Sequence, residues 1–453
     1  MEMGVADLAV RGTVQTGSGT WQRGEVLIDA GRIRGVTEDV GSVDSRRCID
    51  VGAAYVLPGV VDAHVHCLSH PGEGVAAATA AAAAGGVTTI VEMPFDQAGP
   101  INSVDRFKRK HDLVEDEALV DVAMLATVAP DGGWRAAEAL TDAGACGFKV
   151  SLFDTDPHRF PRIDDAELLN VMAATAGAAR PLCVHAENTE VIKTLIEVER
   201  LRDPRDPHAH ARSRPPVSET LGVLTALEVA HTQNARLHLC HLSTPRAVDL
   251  VRWFADDGLD VTVETCPHYL TFTDDDMDSH RGRLKINPPL RSSQARAGMW
   301  ERLASGAVDV VASDHAPWPT QYKDQELIFD NRSGVPGVET LVAATLSGAL
   351  DQGVQMFARA IEALTLTPAR RFGLDHRKGR IAEGYDADLA VFDPAQSWDV
   401  DQELLHSNAG WSPYHARAFR GRVVLTVSNG AVVWDGTSLT GEAGRAGVIK
   451  PRG

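Results

Sequence analysis

From about residue 56 onward, apolar runs of strand length alternate with stretches spaced for helices. The strand-like runs are 60–66, 87–93, 119–127, 146–153, 181–185, 236–241, 260–265 and 308–314. Between them, residues 75–84, 134–143, 165–176, 220–232, 245–257 and 293–305 show the apolar spacing of helices. Strands buried on both faces read as continuous apolar runs rather than as alternation, and these do. Eight strands with intervening helices predict an α/β fold, an elaborated (β/α)8 TIM barrel. A doubly wound open sheet is the alternative, but no Gly-x-Gly-x-x-Gly turn follows an early strand.

The ends of the chain have a different rhythm. Residues 6–10, 25–28 and 32–36 form short strand-like segments with Gly-containing turns between them. After residues 368–373 the same pattern returns at 387–392, 423–429 and 431–434. The simplest architecture joins both termini into a small β-sandwich beside the barrel. The expected division is 1–55 for the first sandwich part, 56–375 for the barrel, and 376–453 for the second part with its tail. The tail, residues 442–453, is rich in Gly and charge and reads as loosely ordered.

Barrel active sites lie at the C-terminal ends of the strands, so each strand end is a place to look for chemistry. The first ends in Val61-Asp62-Ala63-His64-Val65-His66, and strand alternation points both imidazoles to one face. Neutral imidazole suits zinc and similar ions. The fourth strand carries Lys149, the fifth ends in His185, the sixth in His241 and the eighth in Asp314. Core histidines placed independently would not all choose one rim. A lysine inside an apolar strand must shift its pKa, find a partner or reach the surface. His238, three residues before His241, is expected on the opposite face, packed against a helix. His268 either orients substrate or is structural. His315 is expected to support Asp314 rather than to ligate, and His70 is expected to be a solvated loop residue.

Composition narrows the partners. Of 453 residues, 44% are hydrophobic and 23% charged, the balance of a soluble globular chain. A formal net charge of −18 argues against nucleic acid or an anionic membrane as partner. The six cysteines are scattered singly, none in a Cys-x-x-Cys pair, and read as reduced thiols of a cytoplasmic protein. Met1-Glu2-Met3-Gly4 does not begin a signal peptide, and no apolar run is long enough to span a membrane.

The motifs Pro58-Gly59-Val60-Val61-Asp62-Ala63-His64-Val65-His66, Gly85-Gly86-Val87-Thr88-Thr89, Gly147-Phe148-Lys149, His185-Ala186-Glu187-Asn188, Ser213-Arg214-Pro215, Glu264-Thr265-Cys266-Pro267-His268-Tyr269 and Ser313-Asp314-His315-Ala316-Pro317 are on one chain. Together the pattern resembles the cyclic-amide hydrolases of the amidohydrolase superfamily: allantoinases, hydantoinases, dihydropyrimidinases and dihydroorotases. The resemblance covers nearly the whole chain, including 379–388 and Ser412-Pro413-Tyr414. It implies two divalent metal ions, usually zinc. His64, His66 and Asp314 would hold one, and His185 and His241 the other. Lys149, carboxylated by carbon dioxide, and a hydroxide would bridge them. Asp314 would take the proton of the attacking water and deliver it to the leaving nitrogen. Relatives commonly form homo-dimers or homo-tetramers, and the substrate would be a small cyclic amide.

Departures from each subfamily guide the choice of substrate. Dihydroorotases typically place Arg where Leu68 stands and often His where Trp318 stands. Dihydropyrimidinases and many D-hydantoinases place a Tyr oxyanion donor where Asp154 stands. Allantoinases require neither, although their usual Pro-Gly-Arg reads Pro71-Gly72-Glu73 here. Leu68, Asp154, His268, Asn287 and Trp318 are therefore the candidate substrate contacts. The preferred reading is hydrolysis of allantoin or a hydantoin-like ureide; the alternatives are a dihydroorotase- or dihydropyrimidinase-like hydrolase or one acting on another cyclic amide or imide. A non-enzymatic assembly role is disfavoured by the intact ligand set. A phosphodiesterase would want basic residues near the site, and the rim motifs supply none.

Overall fold

The computed structural model describes residues 5–15, 20–70 and 72–452. Met1 to Gly4, read above for a leader, and Pro71 of the loop after His70 lie outside them. The chain opens with β1 (Ala6–Gln15), β2 (Trp21–Asp29), β3 (Arg32–Thr37) and β4 (Ser45–Pro58). The next eight strands are β5 (Val60–Val65), β6 (Val87–Glu92), β7 (Asp121–Ala126), β8 (Gly147–Ser151), β9 (Leu182–His185), β10 (Leu237–Leu239), β11 (Val261–Thr265) and β12 (Val310–Val311). The last three are β13 (Leu389–Asp399), β14 (Ala418–Ser428) and β15 (Ala431–Trp434).

Strands β5 to β12 pair in sequence order as one parallel eight-stranded sheet. The segment after β12 closes the ring: Val65 bridges His315, His66 N donates to His315 O at 2.9 Å, and His315 N donates to His64 O at 3.3 Å. The barrel is thus nearly closed, and its closure draws the first and last strand ends together. Alternation along each strand gives two layers. Val60, Val65, Val122, Phe148, Leu182, Leu237 and Val263 pack outward against helices. Val61, Ala63, Val91, Leu125, Cys183, Cys240 and Ala312 fill the interior.

The helices follow the expected pattern closely, as Gly74–Ala84, Asp165–Gly177, Pro216–Gln233, Pro245–Asp256 and Ser293–Ala304. All but Gly74–Ala84 start with a side-chain cap or with proline in the first turn, as Asp164 accepting from Glu167 N shows. Helices that sequence did not predict also pack on the barrel, among them Leu341–Leu350 and Val354–Leu364, which are largely buried, and two thinner ones. Val104–Glu117 is mostly charged and buries only Phe107, Lys110 and Val114. Thr189–Arg202 buries a similarly thin stripe.

The terminal strands form one seven-stranded sheet in the order β15-β14-β13-β4-β1-β2-β3. β1 and β4 are parallel and the other pairs antiparallel. β13 lies along β4, with Leu389 opposite Pro58, so the two ends of the chain meet at the junction with the barrel. Gly59 turns β4 into β5 there; a Cβ at this position would stand 2.1 Å from Thr88 Oγ1. Buried Lys378 ties sheet to barrel, donating to Asp388 at 2.6 Å, lying 2.9 Å from Asp386, and bonding Asp121 at the start of β7.

The tail corrects expectation. Ile449 is buried in the interior cluster of the barrel, and its N–H donates to Val122 O at 2.9 Å. Arg452 N donates to Gly373 O at 2.8 Å. The Gly and charged residues around Ile449 conceal one apolar anchor that a composition-based reading averages away. Cys67, Cys146, Cys183, Cys240 and Cys266 are buried and Cys48 exposed, all unpaired. Among the described residues no helix is long and apolar enough to cross a membrane.

Candidate active site

The strand-end residues meet in one cavity of about 290 Å³. His64, His66, Lys149, His185, His241 and Asp314 all line it, together with Asn287 and Trp318. One half of the centre is carried by the barrel closure. His64 Nε2 lies 3.2 Å and His66 Nε2 3.5 Å from Asp314 Oδ1. One ligand atom from each of these three residues fits within 4.8 Å of the others, the spacing of a metal-binding triad. In the other half, His185 Nδ1 and His241 Nε2 face each other at 3.0 Å.

Two of these residues occupy unusual backbone conformations. His241 has φ 41° and Asp314 has φ 47°. Such left-handed values are costly for residues with a Cβ and tend to persist where function fixes them. They also explain why simple alternation fails here. β10 ends at Leu239, and the turn at Cys240 and His241 redirects the chain. His238 therefore does not face outward, as its spacing suggested. It points into the barrel, with Nδ1 2.7 Å from Thr262 Oγ1, Nε2 3.1 Å from Glu264 Oε2 and its ring against Phe372.

Two buried carboxylates that sequence did not assign hold the histidines in place. Glu264 accepts from His64 Nδ1 at 2.8 Å, from His241 N at 3.0 Å and from His238 Nε2. Burial opposes its charge, but His64 and His238 hold its pKa well below the usual range. Glu187 lies 2.8 Å from His185 Nε2 and pairs with Arg214 at 2.5 Å. Burial raises its pKa, and Arg214 and His185 outweigh that, to about 2. Glu264 fixes Nδ1 of His64 and Glu187 fixes Nε2 of His185, leaving the other nitrogen of each of these two rings toward the cavity, the arrangement expected behind metal-binding histidines. A carboxylate in the middle of a buried strand, as in Val261–Thr265, was the available signal.

Charge and hydrogen bonding both fit a cation. Burial and Lys149 oppose a proton on His64, yet Asp314 and Glu264 raise its pKa to about 10. The site thus calls for positive charge between those carboxylates. Asp314 is held to about 2: burial raises it, and His64 and His66 outweigh the burial. Lys149 Nζ, His66 Nδ1 and His241 Nδ1 are buried without a hydrogen-bond partner among the described residues. Lys149 is 4% exposed, so it does not reach the surface. A buried amine with no acceptor is costly, and ligation or modification would remove that cost.

The candidate substrate contacts divide. Asn287 and Trp318 are on the cavity wall, Asn287 with no hydrogen-bond partner for Oδ1 among the described residues. Trp318 is fixed by its Nε1 donating to Ser333 O at 3.1 Å. Leu68 and Asp154 are not on the wall. Leu68 packs on the outer core and accepts from Gln97 N at 2.7 Å. Asp154 pairs with Lys193 at 2.8 Å and accepts from Arg162 N. Both positions were picked by counting from a motif, and the loops here diverge before reaching the cavity. His268 is buried and is not among the residues lining the cavity; its Nε2 has no partner among the described residues, and burial lowers its pKa to about 4. His315 supports the closure, with Nε2 3.2 Å from Glu73 Oε1 and Nδ1 accepting from Gly337 N. Glu73 is thereby committed to His315 and Ser407. His70 is not solvated: it is 9% exposed and packs edge-on against Trp318 and Tyr322.

A further correction concerns charge. Arg214, of the motif Ser213-Arg214-Pro215, lines the cavity, and so do Arg159, Arg200, Lys285 and Arg332, which no motif announced. They come from loops and helices after the strands, where sequence alone gives no direction.

Residues 55–433 match the model of the amidohydrolase family. The chain belongs to the amidohydrolase family. This amidohydrolase is 38% identical over 453 residues to a protein named allantoinase from Rubrobacter xylanophilus, covering 98% of both chains. It is 30% identical over 415 residues to an L-hydantoinase from Paenarthrobacter aurescens, covering 90% of both. Among solved structures, it matches the L-hydantoinase (dihydropyrimidinase) from Arthrobacter aurescens with a TM-score of 0.95 at 29% identity, over 98% of this chain and all of that one.

Proposed function

We propose that this amidohydrolase opens a five-membered cyclic ureide, allantoin or a hydantoin, by metal-dependent hydrolysis of a ring C–N amide bond. The observation that carries the proposal is the convergence of His64, His66, His185, His241, Asp314 and unpartnered Lys149 in one cavity. Relatives named allantoinase and L-hydantoinase, similar along nearly the whole chain, support the substrate class.

His64, His66 and Asp314 would hold one divalent ion and His185 and His241 another, zinc being the ion that such donors favour. Lys149, as the carbamate formed when its neutral amine adds carbon dioxide, would join the two sites with an anion. Such ions supply polarisation of the scissile carbonyl and a water that is nucleophilic near neutral pH.

The chain's own groups do the rest. Asp314 stays ionised at neutral pH because His64 and His66 hold it near 2. It can accept the water proton and return it to the departing ring nitrogen, giving a carbamoyl or ureido acid. Glu264 and Glu187 keep His64, His241 and His185 oriented. Asn287 and Trp318 would position the ring from the wall.

The test combines metal content with turnover. Asp314→Ala should abolish ring opening while retaining much of the metal. Lys149→Ala should lose at least one metal equivalent and recover part of its activity with added short carboxylic acids. Full activity in the Lys149 variant would overturn the bridging role.

A further inference from the structure

The chain is strongly acidic, with 62 Asp and Glu against 44 Lys and Arg. Its cavity is the reverse. Lys149, Arg159, Arg200, Arg214, Lys285 and Arg332 line it, and Asp314 is the lone acid among the described lining residues. With Lys149 assigned to the centre, five basic side chains remain on the outer walls.

Their pairing is uneven. Arg214 is neutralised by Glu187. Arg159 bonds Asp156 at 3.0 Å and Ser69 O at 2.9 Å, and stacks 4.4 Å over the Phe95 ring. That holds it across the loops after β5 and β8. Arg200 and Arg332 have no carboxylate partner among the described residues. Each guanidinium instead lies over an aromatic ring of the wall, Arg200 5.3 Å from Phe329 and Arg332 5.4 Å from Trp318. Lys285 is buried and bonds only backbone carbonyls, Phe329 O at 3.1 Å and Asn331 O at 2.5 Å. Burial first, then the charge of Arg214, then Arg200 and Arg332, lower it to about 7, with Asp330 opposing. These groups are therefore close enough to repel one another. A cationic cluster assembled around a cavity without enough acids to balance it is an anion site, and planar guanidinium groups suit a carboxylate.

We propose that the outer cavity recognises an anionic group on the substrate, so that the ureide opened here carries a carboxylate on a short side chain outside the ring, with Arg200 and Arg332 as its specificity-determining residues. This rests on the cyclic-amide reading and narrows it. The ring would sit at the histidine centre, and the side-chain carboxylate would reach outward to the guanidinium groups over Phe329 and Trp318. Arg159, already held in place, would add positive field at the mouth. A neutral ureide would leave these charges uncompensated and gain nothing from them.

The test uses a charge-matched pair on one ring: hydantoin-5-acetic acid and hydantoin-5-acetamide, with the 5-propionic acid and its amide as a longer pair. kcat/KM and equilibrium binding are measured on the metal-loaded enzyme and on the Arg200→Gln, Arg332→Gln and double variants. The acid should exceed its amide by at least about 10-fold in kcat/KM, the worth of one charge-assisted hydrogen bond. That ratio should fall toward unity in the double variant and decline with added salt. Equal or better turnover of the amides would overturn the proposal and leave ureide hydrolysis standing. If no ring is opened but acids bind more tightly than amides, with the preference lost in the variants, anion recognition is upheld and ring opening is refuted. Absence of both turnover and acid-selective binding would overturn both.

Discussion

Glu264→Gln tests the support behind the histidines with little change in shape. Glu264 is wholly buried, and its Oε1 accepts from His64 Nδ1 at 2.8 Å and from His241 N at 3.0 Å. A glutamine can keep that oxygen in place. Its amide nitrogen would then face His238 Nε2, which can become an acceptor by moving its proton to Nδ1, 2.7 Å from Thr262 Oγ1. The fold should therefore tolerate the change; what disappears is the negative charge behind His64. A hydrogen bond to a charged partner is worth about 1.5–3 kcal/mol against about 0.5–1.5 for a neutral one, so the bond to His64 weakens by about 1–2 kcal/mol. Loss of a carboxylate behind a metal-binding histidine typically costs 10–100-fold in metal affinity, about 1.4–2.7 kcal/mol, which agrees. The assay is competition with a fluorescent zinc chelator at fixed pH, with melting of the metal-free proteins measured alongside. The expected result is weaker zinc binding by 10-fold or more with a similar metal-free Tm. Equal zinc affinity in the two proteins would refute the role assigned to Glu264.

Other substitutions test other parts of the account. Lys378→Met should cost about 3–5 kcal/mol at pH 7 in denaturant titration, because three buried aspartates lose their shared cation. Burial opposes the charge of Lys378, but Asp388, Asp121 and Asp386 raise its folded pKa above the ordinary 10.5. Its own contribution is therefore complete below pH 10.5 and fades as pH rises through the folded value, so on the alkaline side the gap to the variant should narrow only in strong alkali. Ile449→Ala should cost about 2–5 kcal/mol in the same titration if the tail anchors the barrel interior, and no measurable change would contradict that placement. Asp154→Asn and Leu68→Ala should change kcat/KM by less than about 2-fold, since neither side chain is on the cavity wall, whereas Asn287→Ala and Trp318→Ala should lower it well beyond that.

Much of the barrel was legible because its strands are apolar on both faces and its helices carry a broad apolar stripe. Of the helices that were missed, Val104–Glu117 and Thr189–Arg202 bury few residues and so leave little periodic signal, whereas Leu341–Leu350 and Val354–Leu364 are largely buried but lie beyond the last barrel strand, outside the strand–helix alternation. The six strand-end residues could be read because a barrel concentrates chemistry at one rim, and position along a strand then gives position in space. That logic stops where the strand stops. His238 was misdirected because His241 lies in a left-handed turn beyond β10. Leu68 and Asp154 were misdirected because they lie in loops. The basic wall escaped notice for the same reason, since Arg159, Arg200, Lys285 and Arg332 are far apart in sequence and only the folded loops bring them to one cavity.

The central claim, metal-dependent opening of a cyclic ureide, is tested most directly by one ring-opening assay. The protein is purified from zinc- and bicarbonate-supplemented growth, and its metal is counted. Allantoin, hydantoin, 5-substituted hydantoins of both hands with hydantoin-5-acetic acid among them, dihydrouracil and dihydroorotate are then compared before chelation, after chelation and after zinc is restored. The account predicts about two metal equivalents per chain and turnover dominated by a five-membered ureide, lost on chelation and regained with zinc. Full metal loading with no ureide opened, or turnover that survives complete removal of metal, would contradict it.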